Sequence, residues 1–554
     1  MLKTGIISAA LLTVAPAAYA QSTNAGAQLQ QIPPTPQAPR APLDLQVQPV
    51  PEQPDAGPPG ATVRIDALTV TGATVFDAAA LRDAAGFAPG QERSLSDLRA
   101  MAARISAFYH QRGYFLAQAY LPAQEISGGS VTIAVIEGRY GKVALSPDTG
   151  RSSGVAKGIL KGIDSGDIVT AAPLERRLLL LSDLPGSTVR STLAPGSIVG
   201  TSDLAVELTP GRLISGNIEA DNAGNRYTGT YRAGGTVNIN NPMGDGDLLS
   251  LRILASTGGL AYGRVAYQAP IANLTLGVAY SHIRYELGRE FKGLDADGTA
   301  DIASVYASYP LVRSRDVNLY AIGSLEAKWF EDRIGLVSSR SNKKSRVATI
   351  GLSGDSHDDF GGGGWTNVSG GFSYGDFDIE SPLERAIDAL TARRDGGFGK
   401  FDFAAARLQT VSGPLSLYGS IRGQLAFDNL DTSEQMELGG AYGVRAYPEG
   451  ESYGDQGYIA TAEARLTLSR WVDSFPGQLQ AIAFVDVGEV QYAHDAWFTG
   501  SNHANRSGVG GGLSWAAPEG FLLKGSYAHR LGDQRVTSGP DHKGRFWFQI
   551  VKLF

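Results

Sequence analysis

The sequence predicts a transmembrane antiparallel β-barrel of about sixteen strands, preceded by two small α+β modules. Three observations point there. An export signal opens the chain, yet no later run of about 18 apolar residues could cross a bilayer as a helix. Residues 63–210 run twice through a β-α-α-β-β order. From Arg212 onward, period-2 alternation dominates, and one of its two faces is too polar for a dry core.

Composition narrows the function classes. The 554 residues contain no cysteine, which excludes thiolate metal sites, thiol nucleophiles and disulfide frameworks. Seventy glycines are nearly double the usual share, while a hydrophobic content of 43% is ordinary and too high for disorder. A net charge of −7 offers no basic footprint for a nucleic acid. Gly361-Gly362-Gly363-Gly364 is followed by Trp365 rather than Lys-Ser/Thr, so it reads as a barrel turn and not a phosphate loop. The seven histidines are scattered, and no catalytic, metal or cofactor constellation is expected. Glu384-Arg385 and Arg393-Arg394 read as a charged helical or loop cluster.

The elements follow in order. Met1-Leu2-Lys3, the apolar stretch Gly5 to Ala15 and the Ala18-Tyr19-Ala20 cleavage site make residues 1–20 a signal peptide, with the mature chain starting at Gln21 outside the cytoplasm. Within 21–32, Ala25 to Ile32 can form two turns of helix, too short to stand alone. Residues 33–60 hold ten of the 27 prolines and read as an extended tether.

The first module spans 61–138. Val63, Ile65, Leu68 and Val70 read as one strand; Asp77 caps a helix ended by Gly86; Ser94 or Ser96 caps a second, Asp97 to Arg112, stopped by Gly113. Strands follow at 115–121 and 131–137. The second module, 139–210, repeats the order with a strand at 141–145, helices at 151–162 and 173–182, and strands at 188–193 and 203–208.

Residues 211–554 form the barrel. Leu415 to Phe427 and Tyr458 to Leu468 alternate, with Thr461, Glu463, Arg465 and Thr467 on the polar face of the second. A soluble sandwich alternates too, but an aqueous lumen satisfies repeated Glu, Arg, Lys and Asp on one face while outer-membrane lipid covers the other. Counting back from Phe554 in twos meets Lys552, Ile550, Phe548 and Phe546; Phe546, Phe548, Ile550 and Phe554 match the terminal pattern that the outer-membrane barrel-assembly machinery recognises.

The chain resembles the transporter partner of bacterial two-partner secretion systems, the haemolysin and filamentous-adhesin secretion-activation family within the superfamily of barrels carrying polypeptide-transport-associated (POTRA) modules. Gln111-Arg112-Gly113-Tyr114, Ala119-Tyr120-Leu121-Pro122 and Val135-Ile136-Glu137-Gly138 match the first module, and Leu174-Glu175-Arg176 with Leu180 to Gly186 the second. Asp221-Asn222-Ala223-Gly224, Asn241-Pro242 and Tyr309-Pro310-Leu311 are similar to stretches of the family barrel. Val444-Arg445-Ala446-Tyr447 resembles the tip of the family's pore loop, with Ala446 in place of a glycine, and Phe484, Asp486 and Gly488 resemble the wall motif that the tip meets.

The resemblance implies an outer-membrane transporter with periplasmic modules that takes a large, unfolded exoprotein of adhesin or haemolysin type to the cell surface. It also implies a monomer, a plug helix matched in position by Ala25 to Ile32, and a substrate surface on the modules for which Phe115, Tyr120 and Leu121 are candidates. An insertase of the same superfamily and a diffusion porin are the alternatives within the membrane class. An exported enzyme on a β scaffold is the alternative outside it.

Overall fold

The computed structural model describes residues 24–35, 44–47, 62–146, 153–471 and 474–554; the signal-peptide assignment to 1–20 and most of the proline-rich stretch lie outside them. The chain divides into two compact units, one chiefly of residues 40–212 and one chiefly of 213–554 with the residues up to 39.

In the first module, helices Ala78–Ala85 and Leu95–His110 pack on a sheet of Ala67–Thr71, Ser130–Ile136 and Gln118–Tyr120. Asp77 caps the first helix by accepting from the Ala80 amide at 2.7 Å, and Gly86 ends it at φ 66°. Ser94 and Asp97 close a capping box on the second. Leu81, Leu98, Met101, Ile105, Tyr109, Val131 and Ile133 form the core. Thr62–Ile65 and Ala67–Thr71 are two strands, not one: the first pairs with Gln91–Ser94 and the second runs parallel to Ser130–Ile136.

Glu137 ties this module together. Its buried carboxylate accepts from the Thr74 amide (2.6 Å), the Thr74 hydroxyl, the Val75 amide (2.8 Å) and the Tyr109 hydroxyl (3.0 Å). Burial alone would raise its pKa, but those donors outweigh it and hold the carboxyl below the usual glutamate range.

The second module orders its sheet as Asp44–Val47, Ser187–Pro195, Thr201–Pro210 and Arg139–Ser146, under helices Ser153–Leu160 and Ala171–Ser182. The tether reading of 33–60 therefore has an exception. Asp-Leu-Gln-Val lies between prolines, has no proline itself, and pairs in parallel with Ser187–Pro195. A second correction concerns 115–121: only Gln118–Tyr120 is a strand, because Phe115 and Leu116 turn away to pack against the second module's core of Leu174, Leu178, Leu181 and Leu193.

The barrel closes sixteen antiparallel strands, from Ile214–Asp221 to Gly544–Leu553. Outward side chains such as Ile218, Ile253, Val278, Leu325, Ile350 and Leu513 are exposed, while Asn217, Glu219, Arg252, Lys328, Glu463 and Asp486 turn inward and are buried. That inversion of a soluble protein's pattern is what lipid outside and charge pairing inside require. First and last strands pair from Asn217↔Leu553 to Asp221↔Gln549. Gly216 and Phe554 exchange backbone bonds at 3.0 Å at one end, and the Asn222 side chain bonds the Phe546 carbonyl and Phe548 amide, both at 2.8 Å, at the other. Phe546, Ile550 and Phe554 face outward from the last strand. Lys552 shares that face, lies over the Phe521 ring and donates to the Glu519 carbonyl, so its charge reaches a polar partner while its stem stays on apolar surface. Pro310, which cannot donate to a ladder, sits beside a register shift in its strand.

Glu137→Ala orphans donors from two elements at once and should destabilise the first module by about 3 kcal/mol. Because the folded carboxyl titrates below its unfolded value of about 4.3, its stabilising contribution is complete above that pH and is lost as pH falls through the folded value. Amide exchange at Thr74 and Val75 in the intact chain should accelerate below about pH 4, and the pH dependence should vanish in the variant.

Candidate functional site: a long loop docked in a charged lumen

The eleventh barrel strand, Leu415–Ala426, and the twelfth, Gln456–Thr467, are joined by residues 427–455. An even strand count returns the chain to the end where it entered, so this connection emerges from the opposite end. Instead of projecting, it folds back into the lumen. Met436–Glu437 pairs with Tyr453–Gly454 as its base, and the tip is tightened by the Val444 amide on the Leu438 carbonyl (2.9 Å) and the Tyr447 amide on that of Val444 (3.0 Å). Val444, Ala446 and Tyr447 are fully buried.

Arg445 anchors the tip. Its Nε and Nη2 bond the two carboxylate oxygens of Asp486 at 2.8 and 2.7 Å, its amide bonds Asp486 at 3.1 Å, and Nη1 bonds Glu463 Oε1 at 2.8 Å. The guanidinium lies 3.4 Å from the centroid of the Phe484 ring. A planar fork between two carboxylates and an aromatic face is a fit that lysine could not reproduce. Thr461 donates to Asp486 at 2.9 Å, and Arg465 holds the far oxygen of Glu463 at 2.6 and 2.9 Å. The Trp547 indole on the last strand donates to the Arg445 carbonyl at 2.7 Å, and the Tyr447 hydroxyl donates to the Gln534 carbonyl at 3.0 Å.

Close approach explains the glycines around the tip. A Cβ at Gly488 would stand 2.7 Å from Leu438 Cδ1, and one at Gly508 would stand 2.5 Å from the Ala446 methyl. Ala446 itself is not at positive φ, so a methyl is accommodated where the resembling motif has glycine.

Acidic residues of the loop meet cations of the wall strands and, in Arg394, of the connection before the strand Gly396–Ser412. Glu434 takes Lys328 at 2.8 Å and Lys400 at 3.2 Å; Asp431 faces Lys343 at 3.8 Å and Arg394 at 3.7 Å. Glu451, fully buried, accepts from Arg506 at 2.8 Å and from the Thr537 and Ser538 amides of the last connection. Burial would raise the pKa of Glu434, but the two lysines hold it below the ordinary value. Glu437 goes the other way: burial, and then the neighbouring Glu449, push it up.

The helix Ala25–Gln30 lies inside the same lumen. Asn24 caps it at 2.9 Å on the Ala27 amide, and the Ala25 amide donates to Asp332 at 2.8 Å. Gln31 donates to the Tyr453 hydroxyl at 2.6 Å, and Arg232 donates to the Gln31 carbonyl at 2.8 Å. Gly26 lies so close to the loop that a Cβ there would meet the Ser433 amide nitrogen at 2.8 Å. A cavity of about 660 Å³, lined among others by Gln30, Ile32, Lys400, Asp402, Arg422 and Tyr442, adjoins the helix.

The structure thus brings together Arg445, Phe484 and Asp486, which the sequence motifs pair, and adds Glu463 and Trp547, which no motif links to the tip. Phe115, Tyr120 and Leu121 do not form one patch: Phe115 packs on the second module's core, Leu121 on the first's, and Tyr120 is exposed. Gly371-Phe372-Ser373-Tyr374-Gly375 spells a nucleophile-elbow pattern, but it lies in the middle of barrel strand Gly364–Ile379, where Ser373 contacts Thr349 at 2.8 Å. Among the described residues, no group of His, Asp or Glu has the geometry to hold a metal ion.

The family described as "Haemolysin secretion/activation protein ShlB/FhaC/HecB" matches residues 200–514, and the POTRA domain of ShlB type matches 63–138. The heme/hemopexin transporter protein HuxB of Haemophilus influenzae is 26% identical over 481 residues, 84% of this chain and 82% of its own length. The outer membrane transporter CdiB of Escherichia coli is 24% identical over 527 residues, 91% of this chain and 84% of its own length. The solved CdiB structure from Escherichia coli superposes with a TM-score of 0.69 at 20% identity, covering 93% of this chain and 94% of that one. With the closed barrel, the preceding modules and a family match over most of the barrel, the chain belongs to the haemolysin secretion/activation family of ShlB, FhaC and HecB, outer-membrane transporters of two-partner secretion.

Proposed function

We propose that this transporter binds one large exoprotein, unfolded, on its periplasmic modules and passes it through the lumen without nucleotide hydrolysis. The observation that carries the reading is the lumen itself. Among the described residues, this charged bore is occupied by two segments of the chain's own, the helix Ala25–Gln30 and the loop 427–455. Each is held by polar contacts together with an apolar contact to the wall, of Leu438, Val444 and Tyr447 for the loop and of Ala25 and Leu29 for the helix. Polar contacts can be exchanged for water as a segment leaves, while the smaller apolar contacts are the part of the docking that opening must offset. Folding of the exoprotein outside supplies the bias, since each folded domain contributes roughly 5–15 kcal/mol against sliding back. The transporter acts as a monomer, reaches the membrane through the barrel-assembly machinery, and takes a partner of adhesin or haemolysin type. Tyr120 is the exposed member of the candidate module surface.

Deleting 21–32 removes the helix from the lumen and should raise single-channel conductance in planar bilayers; an unchanged conductance would remove the plugging role. Arg445→Ala leaves Asp486 and Glu463 buried without their shared cation, and loop docking should weaken by about 3–5 kcal/mol. Export should fall more than tenfold while heat-modifiable gel mobility, the sign of an assembled barrel, stays intact. Exchanging charges with Arg445→Glu and Asp486→Arg should restore export only in part, because Glu463 then repels the new carboxylate.

A further inference from the structure

The second module's sheet carries one strand that does not belong to its fold. Asp44–Val47 comes from the proline-rich stretch and adds in parallel to the edge of Ser187–Pro195, with Leu45 beside Ser191 and Gln46 beside Thr192. Three features make it a loosely seated occupant. It is four residues long, and Pro42 and Pro49 stand two positions before and after it in the sequence, so fixed ring geometry and missing N–H groups oppose its growth along the edge. It covers positions 190–193 of a strand that runs from 187 to 195. Of its side chains, Leu45 is partly buried against the module's core, whereas Gln46 and Val47 are exposed.

We propose that the edge of Ser187–Pro195 is the exoprotein's docking site, and that Asp44–Val47 is a built-in placeholder which an incoming extended segment displaces. This deepens the transport reading above and rests on it. Main-chain bonds supply the affinity, and side chains at alternate positions supply selectivity. The partner segment is extended and proline-free for about nine residues, with a branched or leucine side chain where Leu45 now sits and apolar residues two positions either side. Such a strand pairs along the whole edge from Ser187 to Pro195, of which the placeholder takes only 190–193. The placeholder competes through its tethering, which keeps its effective concentration high, so a short or proline-broken segment does not dislodge it.

The chain has no cysteine, so an introduced pair can form only one disulfide within the chain. Gln46→Cys with Thr192→Cys joins two register partners that lie on the face away from the core. Purified full-length transporter is titrated with a fluorescent twelve-residue peptide alternating valine and threonine, with the pair oxidised and then reduced. Oxidation should weaken binding at least tenfold and reduction should restore it. Leu45→Asp, which unseats the placeholder without a crosslink, should tighten it several-fold. In cells, the oxidised transporter should export nothing while reductant returns export to the unmodified level. Equal peptide affinity in all states, or normal export with the crosslink fully formed, overturns the docking site. A failure of both the unmodified chain and the reduced variant to export any exoprotein overturns the transport reading instead.

Discussion

The register of the loop inside this barrel depends on charge compensation between its acidic residues and cations of the wall and of a neighbouring connection, on top of an apolar contact at its tip. Asp431, Glu434 and Glu451 enter the lumen and meet Lys343, Arg394, Lys328, Lys400 and Arg506. At the tip the signs reverse, and Arg445 enters a pocket of wall carboxylates. The reversal gives the loop one register. A slip along the bore would place Arg445 among lysines and the loop carboxylates against Glu463 and Asp486, each a buried like-charge contact. The helix Ala25–Gln30 uses the same surfaces, since it leans on Asp332, Thr432 and Arg232, so loop and helix are neighbours in one polar network rather than two independent inserts.

The last strand has a part in that network beyond closing the wall. Trp547 holds the carbonyl of the residue whose guanidinium holds Asp486, and the connection before that strand is bound to Glu451 and Tyr447. The loop is thereby fastened to the twelfth and thirteenth strands and to the sixteenth, on the two sides of the tip. The terminal aromatics Phe546 and Phe554 face outward from this strand and its end, so one short segment serves lipid on one face and the lumen on the other.

How much of this is legible in the chain depends on the range of the forces involved. Alternation is local, and it exposes the barrel because lipid and water impose opposite demands on successive residues. Caps are local too, which is why Asp77 and Ser94 mark their helices. Glu463 is visible as one polar residue on an alternating strand, but nothing nearby in sequence marks it as the partner of Arg445. Trp547 looks like any aromatic of a terminal strand until its indole is seen on a backbone carbonyl 102 residues away. Asp44–Val47 is hidden for a different reason: the surrounding prolines dominate any window wide enough to judge composition, and the pairing edge lies more than a hundred residues further along. Phe115 is hidden because its burial comes from packing between modules, which no single-module pattern encodes.

The strands are unequal, and that has a mechanical result. The first runs for eight residues, and the longest, Ser339–Asp358, for twenty. At about 3.3 Å per residue and a tilt of about 40°, a twenty-residue strand stands about 50 Å tall against an apolar band of about 25 Å. Its outward face agrees: Ala348, Ile350 and Leu352 suit lipid, whereas Arg340, Asn342, Lys344 and Arg346 do not. The wall therefore rises as a parapet on one side of the mouth and drops to a low sill on the other. A polypeptide leaving the bore passes a hydrophilic screen of strand on one side and only the connections between short strands on the other.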